Sequence, residues 1–301
     1  MTYIRPSRRL RRALPAIVLL IPAAGALAAC DSAAAPPATS PASTAPTAGS
    51  GMQTIDNGGH RLAFYVTPGA APAIVLDSGG GEDHTEWKDI VAKLHAATGS
   101  EIITYDRAGM GASDEVPGPW KVEDAVSDLT AGLTRLGVTG NVVLVSHSQA
   151  GEIATYFVRQ NPRLVTGAVL VDANLPQFFT DDEIARLVAA TKPQVDAAKA
   201  GPSTKESRQL IATAESFVAT QHAYHHVAWP DAVPAVVMVS EKTPFDGSPE
   251  DVRRWHDAAK AFAAAGTGRT LVNADGSSHE VPADRPDLVL AEVEKMAAAG
   301  R

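Results

Sequence analysis

The stretch Asn141-Val-Val-Leu-Val-Ser-His-Ser-Gln-Ala-Gly-Glu-Ile-Ala-Thr-Tyr-Phe-Val-Arg-Gln-Asn-Pro162 decides how the rest of the chain is read. Val142 to Val145 is a short β-branched apolar run without alternation, the pattern of a parallel strand buried on both faces. Ala150 to Arg159 reads as a helix that ends before Asn161-Pro162, because the residue preceding a proline avoids helical geometry. Ser148 stands at the joint, with the small residues Ser146 two before it and Ala150 two after. No linker separates strand from helix, so the turn is sharp and larger side chains at those two positions would clash across it. A serine held there carries its hydroxyl off the strand's end, beside the helix N-terminus. This is the geometry of a nucleophile elbow, with Ser and Ala in place of the glycines of Gly-x-Ser-x-Gly. Ser-x-Ser-x-Ala by itself is a common pattern; the flanking strand and helix give it meaning.

Outward from the elbow, strand and helix signals alternate. Met52–Asp56 and His60–Thr67 read as strands joined by the Asn57-Gly58-Gly59 turn, and Ala73–Asp77 as a buried strand followed by Ser78-Gly79-Gly80-Gly81. A helix over residues 85–97 presents Trp87, Ile90, Val91 and Leu94 on one face. Then come a strand at Glu101–Tyr105, an amphipathic helix at Val122–Leu136, the elbow unit, and a strand at Ala168–Val171 closing on Asp172. Strands Ala235–Ser240 and Thr270–Asn273 and helices Pro249–Ala265 and Pro286–Ala298 complete the series. Repeated strand–helix units predict an α/β fold: a mostly parallel twisted sheet of about eight strands with helices on both faces. About sixty residues, Asn174 to Pro234, separate the sixth and seventh strands. A structureless loop of that length is uncommon in a compact domain. Glu183–Ala190 and Lys205–Ala219 are amphipathic runs, read as broken by Pro193 and by Gly201-Pro202, so a helical cap is expected at about 175–233.

The chain begins with a different kind of segment. Arg5, Arg8, Arg9, Arg11 and Arg12 make a basic head, and Ala13 to Ala29 is apolar but interrupted by Pro15, Pro22 and Gly25, too broken for a membrane span. It ends in Leu27-Ala28-Ala29-Cys30, which resembles the lipobox of bacterial lipoprotein signals. Residues 1–29 are therefore expected to be a cleaved signal peptide. Cys30 is the expected lipidation site, and the protein is expected to be exported and anchored on the extracytoplasmic face of a membrane. Ser7-Arg8-Arg9-Leu10 is compatible with twin-arginine as well as general export. Cys30 is the only cysteine, which excludes an intrachain disulfide. Residues 30–50, almost all Ala, Pro, Ser, Thr and Gly, have nothing with which to build a core and read as a disordered tether. Residues 51–301 form the folded domain. Removing the leader takes away five arginines and no acid, moving the formal net charge from −8 to about −13. So acidic a body argues against nucleic acid as a partner.

Taken together these features resemble the α/β-hydrolase superfamily over roughly residues 53–298. Four motifs in order carry the resemblance: Leu76-Asp77-Ser78-Gly79-Gly80, the segment from Tyr105 to Asp114, Ser146 to Gly151, and Ser278-His279 before the last helix. It implies that Ser148 is a nucleophile and that His279, after the last strand, is the base a serine hydroxyl needs at neutral pH. It implies an architectural role for the Asp106–Asp114 loop and for His147, whose ring packs under the elbow. The second oxyanion donor is expected from the glycine loop, at the Gly80 backbone N–H, beside that of Gln149.

The acid that orients the base is open. Relatives often place an Asp after the seventh strand, where this chain has Ser240-Glu241-Lys242-Thr243-Pro244, and threonine holds no negative charge. Asp172 at the end of the sixth strand is the first choice, with Asp246 and Glu241 as alternatives. His60 and His84 have no context that assigns them a role. His222 and His226 share a helical face, but without the His-Glu-x-x-His arrangement they do not make a zinc motif; no metal or organic cofactor is expected. The resemblance implies a serine esterase acting on a small ester-like molecule, or on a lactone or amide, through an acyl-enzyme. Relatives that open epoxides or haloalkanes attack with an Asp where this chain has Ser148. Thr243 alone favours a rival reading, a non-catalytic binding protein on the same fold.

Overall fold

The computed structural model describes residues 50–244 and 248–300. The leader, Cys30, the tether up to Gly49, and Asp246 lie outside the described residues. Eight strands make one sheet: β1 (Gly51–Asn57), β2 (His60–Thr67), β3 (Ala70–Asp77), β4 (Ser100–Asp106), β5 (Val142–His147), β6 (Val165–Val171), β7 (Ala235–Ser240) and β8 (Arg269–Ala274). Their order is β1-β2-β4-β3-β5-β6-β7-β8. β1 and β2 form a hairpin, β2 runs antiparallel to β4, and every other neighbour is parallel. The expected mostly parallel eight-stranded sheet is what the chain forms.

The helices are α1 (Lys88–Thr98), α2 (Val122–Arg135), α3 (Ala150–Gln160), α4 (Asp181–Ala200), α5 (Lys205–His225), α6 (Pro249–Ala264), the short α7 (Val281–Asp284) and α8 (Pro286–Ala299). β5 is buried along its whole length, and its side chains alternate between two cores as the period of a strand requires. Val142 and Leu144 pack with Val126 and Leu129 of α2, Ile153 and Phe157 of α3, and Phe262 of α6. Val143 and Val145 pack on the other side with Ile90 and Leu94 of α1 and Val289 and Val293 of α8. Helices on both faces thus explain the apolar run in β5: neither face is left to water.

Between β6 and β7 the chain makes α4 and α5, which pack against each other. The expected break at Pro193 is absent: α4 runs through it, and only Gly201-Pro202 interrupts the pair. A proline inside a helix frees the carbonyl four residues earlier. Here that residue is Ala189, which is exposed to solvent, where the freed group is not cut off from water. α5 is seated on the body by the Trp120 N–H donating to Ala212 O at 3.0 Å and by Tyr224 Oη donating to Asn174 O at 2.9 Å. Among the described residues no helix is long and apolar enough to cross a membrane.

The elbow depends on a close approach at Gly151, the second residue of α3. A Cβ there would lie 2.5 Å from the backbone oxygen of Asn174 and 2.8 Å from Ala173 Cβ. Backbone atoms cannot rotate away as a side chain can. Gly151→Ala is therefore expected to destabilise the fold by about 2 kcal/mol, lowering Tm by roughly 5 °C; thermal unfolding by circular dichroism measures it.

Candidate active site

Three strand ends and one loop build the site. Ser148 follows β5 directly and adopts φ 52°, a left-handed conformation rare for a residue with a side chain. Its backbone is tied on both sides: its N–H donates to Val171 O at 3.2 Å, and its carbonyl accepts from Gly151 N at 3.0 Å and Asn174 N at 2.8 Å. The β6 end thereby holds the strained turn in place. His279 lies in the loop between β8 and α7, with Nε2 2.9 Å from Ser148 Oγ and Nδ1 2.6 Å from Asp172 Oδ2. The structure thus brings Ser148, His279 and Asp172 into one hydrogen-bonded line.

Asp172, also at positive φ (41°), is completely buried after β6. Besides His279 it accepts from Ser240 N at 2.9 Å, Ser240 Oγ at 2.7 Å and Trp255 Nε1 at 2.8 Å. Burial by itself would raise its carboxyl. The bonds from His279, Ser240 and Trp255 outweigh burial and hold it below the ordinary carboxylate range. The end of β7, where an acid was one expectation, supplies Ser240 as a donor to this carboxylate. Glu241 is exposed, and its Oε2 accepts from Gly276 N at 2.7 Å. Thr243 is buried and carries no charge. Trp255 of α6 also stands edge-on to His279, with ring centroids 6.2 Å apart. Neither Trp255 nor Ser240 is marked by any local sequence pattern.

The glycine loop after β3 comes against the elbow. A Cβ on Gly79 would lie 3.0 Å from His147 Nδ1 and 3.6 Å from Ser148 Cβ, and one on Gly80 2.8 Å from Gln149 Oε1, so the loop lies directly against the elbow. The Gly79 N–H is taken by Glu86 Oε2 at 2.8 Å. The N–H groups of Gly80 and Gln149 meet no acceptor among the described residues, which leaves both able to bind an oxyanion. Buried Arg107 braces the loop from beneath, donating to Asp77 at 2.6 Å and, in shorter contacts, to the carbonyls of Ser78 and Gly79. That is the architectural role expected of the β4 loop. A small cavity beside Gln149 is lined by Gly81, Met110, Trp120, Leu210 and Thr213, so α5 forms one wall. A larger cavity lies away from Ser148, between the β1–β2 hairpin and the start of α2, and shares Trp120 and Gln209 with the smaller one.

The remaining histidines find partners the sequence did not reveal. His60 pairs with Asp128 at 2.8 Å, and His84 Nδ1 with Asp106 Oδ1 at 2.8 Å while stacking on Tyr65. Asp83, His84 and Asp106 are grouped closely enough to be ligands of a metal ion. The Asp106 carboxylate, however, already accepts from His84, from Ala112 N at 2.8 Å and from Tyr65 Oη at 3.0 Å. His222 pairs with Asp181, and His225 with the carbonyl of Pro176.

A model of the alpha/beta hydrolase family matches residues 74–292. An uncharacterized protein of Mycobacterium tuberculosis is 35% identical over 115 residues, which cover 38% of this chain and 33% of that one. The match thus spans about a third of that relative's length. Among solved structures, a thermophilic esterase from Thermogutta terrifontis superposes with a TM-score of 0.58 at 20% identity, over 83% of this chain and 98% of that one. An esterase from Exiguobacterium antarcticum gives 0.61 at 18% identity, over 83% and 99%. At such identities the likeness is one of fold.

Glu152, one helical turn beyond Ser148, is buried and accepts from Asn174 Nδ2 at 2.6 Å and Gln221 Nε2 at 2.8 Å, both on its Oε1. Oε2 has no hydrogen-bond partner among the described residues. Burial pushes its carboxyl up to about 7, against the lowering effect of the two amides. Between about pH 4.3, the ordinary glutamate value, and pH 7 the folded state keeps a proton that the unfolded chain has lost. Stability therefore falls as pH rises through that window, by up to about 3 kcal/mol. Glu152→Gln removes this cost while keeping the acceptor, so its gain in Tm over wild type is expected to be larger at pH 8 than at pH 4.5. Thermal melts at the two pH values check it, and an equal gain at both would contradict it.

Proposed function

Because the chain belongs to the alpha/beta hydrolase family, we propose that it is a serine hydrolase that cleaves a carboxylic ester through an acyl-enzyme. We propose further that it acts outside the cytoplasm, held to a membrane by a lipid on Cys30. The observation that carries the enzymatic reading is the unbroken line from the buried Asp172 carboxylate through both ring nitrogens of His279 to Ser148 Oγ. A carboxylate at Nδ1 keeps that nitrogen protonated, which leaves the Nε2 lone pair facing the serine hydroxyl. Ser148 Oγ attacks the ester carbonyl as its proton passes to His279 Nε2. The imidazolium is stabilised by Asp172, which stays ionised because its donors satisfy it in place of water. Negative charge on the former carbonyl oxygen is met by the N–H groups of Gly80 and Gln149 and by the N-terminal end of α3. His279 then returns its proton to the leaving alcohol oxygen, and water releases the acid by the same route in reverse.

The wall that α5 makes over the cavity beside Gln149 supports a compact small-molecule substrate, with lactones and amides as the alternatives to an open ester. The anchor rests on the lipobox-like ending at Cys30 and on the tether that follows it.

A fluorophosphonate probe is expected to label the wild-type protein and not Ser148→Ala. Asp172→Asn is expected to lower kcat on p-nitrophenyl acetate by on the order of 10³-fold, through loss of the oriented, charge-stabilised imidazole. Absence of labelling in folded wild type would sink the enzymatic reading. Cys30→Ser is expected to move the protein from the membrane fraction to the soluble fraction of the expressing cells, as blotting of the two fractions would reveal.

A further inference from the structure

The site contains a second acid–histidine pair that the reaction scheme above does not use. Glu86 lies in the short turn His84–Trp87 that precedes α1, and His147 immediately precedes Ser148. Both are buried. Glu86 Oε1 lies within ion-pair contact of His147 Nδ1, although the two atoms do not meet hydrogen-bond geometry, while Glu86 Oε2 accepts the Gly79 N–H at 2.8 Å. On the far side of its ring, His147 Nε2 stands 3.0 Å from the backbone carbonyl of His279. A carbonyl oxygen only accepts, so Nε2 carries a proton. A carboxylate at Nδ1 draws a proton to that nitrogen as well, so the ring is an imidazolium. We propose that Glu86 and His147 form a buried carboxylate–imidazolium pair that positions both His279 and the oxyanion loop for the reaction.

The pair joins three parts of the site. Through Glu86 it fixes Gly79, next to the oxyanion donor Gly80; through His147 it fixes the main chain of His279; and His147 is itself part of the elbow. Its charge has a direction. The His147 ring centroid is 4.8 Å from that of His279, whereas Glu86 sits at the opposite edge of the His147 ring. His279 therefore faces the positive end of the pair. Other charges face the pair too. Glu82 and Glu280 act on His147, Arg107 on Glu86, and Asp172 faces His279 from the opposite side. Burial alone would strip the proton from His147. Glu86, aided by Glu280 and the His279 carbonyl, outweighs burial and raises the ring to about 9.

The kinetic consequence rests on the serine-hydrolase reading, while the state of His147 does not, and the test separates them. Glu86→Gln keeps an oxygen for Gly79 N–H and an amide for a neutral His147, so packing survives while the charges vanish. With p-nitrophenyl acetate, kcat at neutral pH is expected to fall about tenfold. KM should hold. His147→Gln, which keeps a donor for the His279 carbonyl, is expected to lower kcat in the same way with KM held. An unchanged kcat in both variants, or a rise in KM in place of a fall in kcat, would overturn the proposal. Independently, ¹⁵N–¹H NMR of the full chain with labelled histidine, His147 being assigned from His147→Gln, is expected to show both ring nitrogens protonated at pH 7 in wild type. A neutral ring there overturns it even if fluorophosphonate labels Ser148. Two protonated nitrogens with no labelling would instead sink the hydrolase reading and leave the ion pair standing.

Discussion

A carboxylate buried without water holds its charge only if donors surround it, and the region around Asp172 is organised by that requirement. Its four donor contacts come from Ser240 at the end of β7, Trp255 of α6 and His279 of the loop after β8. Removing one partner of such a group leaves an uncompensated buried charge, a cost of several kcal/mol. The same contacts therefore keep three separate pieces of chain in register with the end of β6. They also aim the imidazole at Ser148.

The backbone at this end of the sheet is strained where the chemistry is proposed. Ser148 and Asp172 both have positive φ, at the ends of adjacent strands, and their turns interlock: Ser148 N–H reaches Val171 O, and Asn174 N–H reaches Ser148 O. Positive φ for such residues is sustained only where the surroundings over-determine it. Here the fully buried β5, the β6 end that is buried from Gly167 onward, and the close approach of Gly151 to Asn174 supply that constraint. Arg107 and Glu86 do the same for the glycine loop, one through its carbonyls and the other through an N–H.

Much of this was legible in the chain because it is local. The apolar run of β5, the small residues around Ser148 and the alternation of strand and helix all follow from spacing within a few residues. So does the position of His279 after the last strand. The proline-containing α4 was misread for a physical reason. Propensity counts the cost of Pro193, but not that Ala189, whose carbonyl it frees, is an exposed residue.

By itself, then, the sequence determined the α/β class and the elbow that carries Ser148, since periodicity and a turn encode them, while the family resemblance pointed to His279 as the base. It left three carboxylates open as the partner of His279. Only the tertiary structure decided among those described: Asp172, 107 positions away in the chain, meets Nδ1, while Glu241 turns to Gly276. Likewise nothing near Glu86 in the chain announces that it faces His147. Such pairings depend on which strand ends and loops converge at one end of the sheet. That convergence is set by the packing of whole faces, on which short-range spacing carries no information.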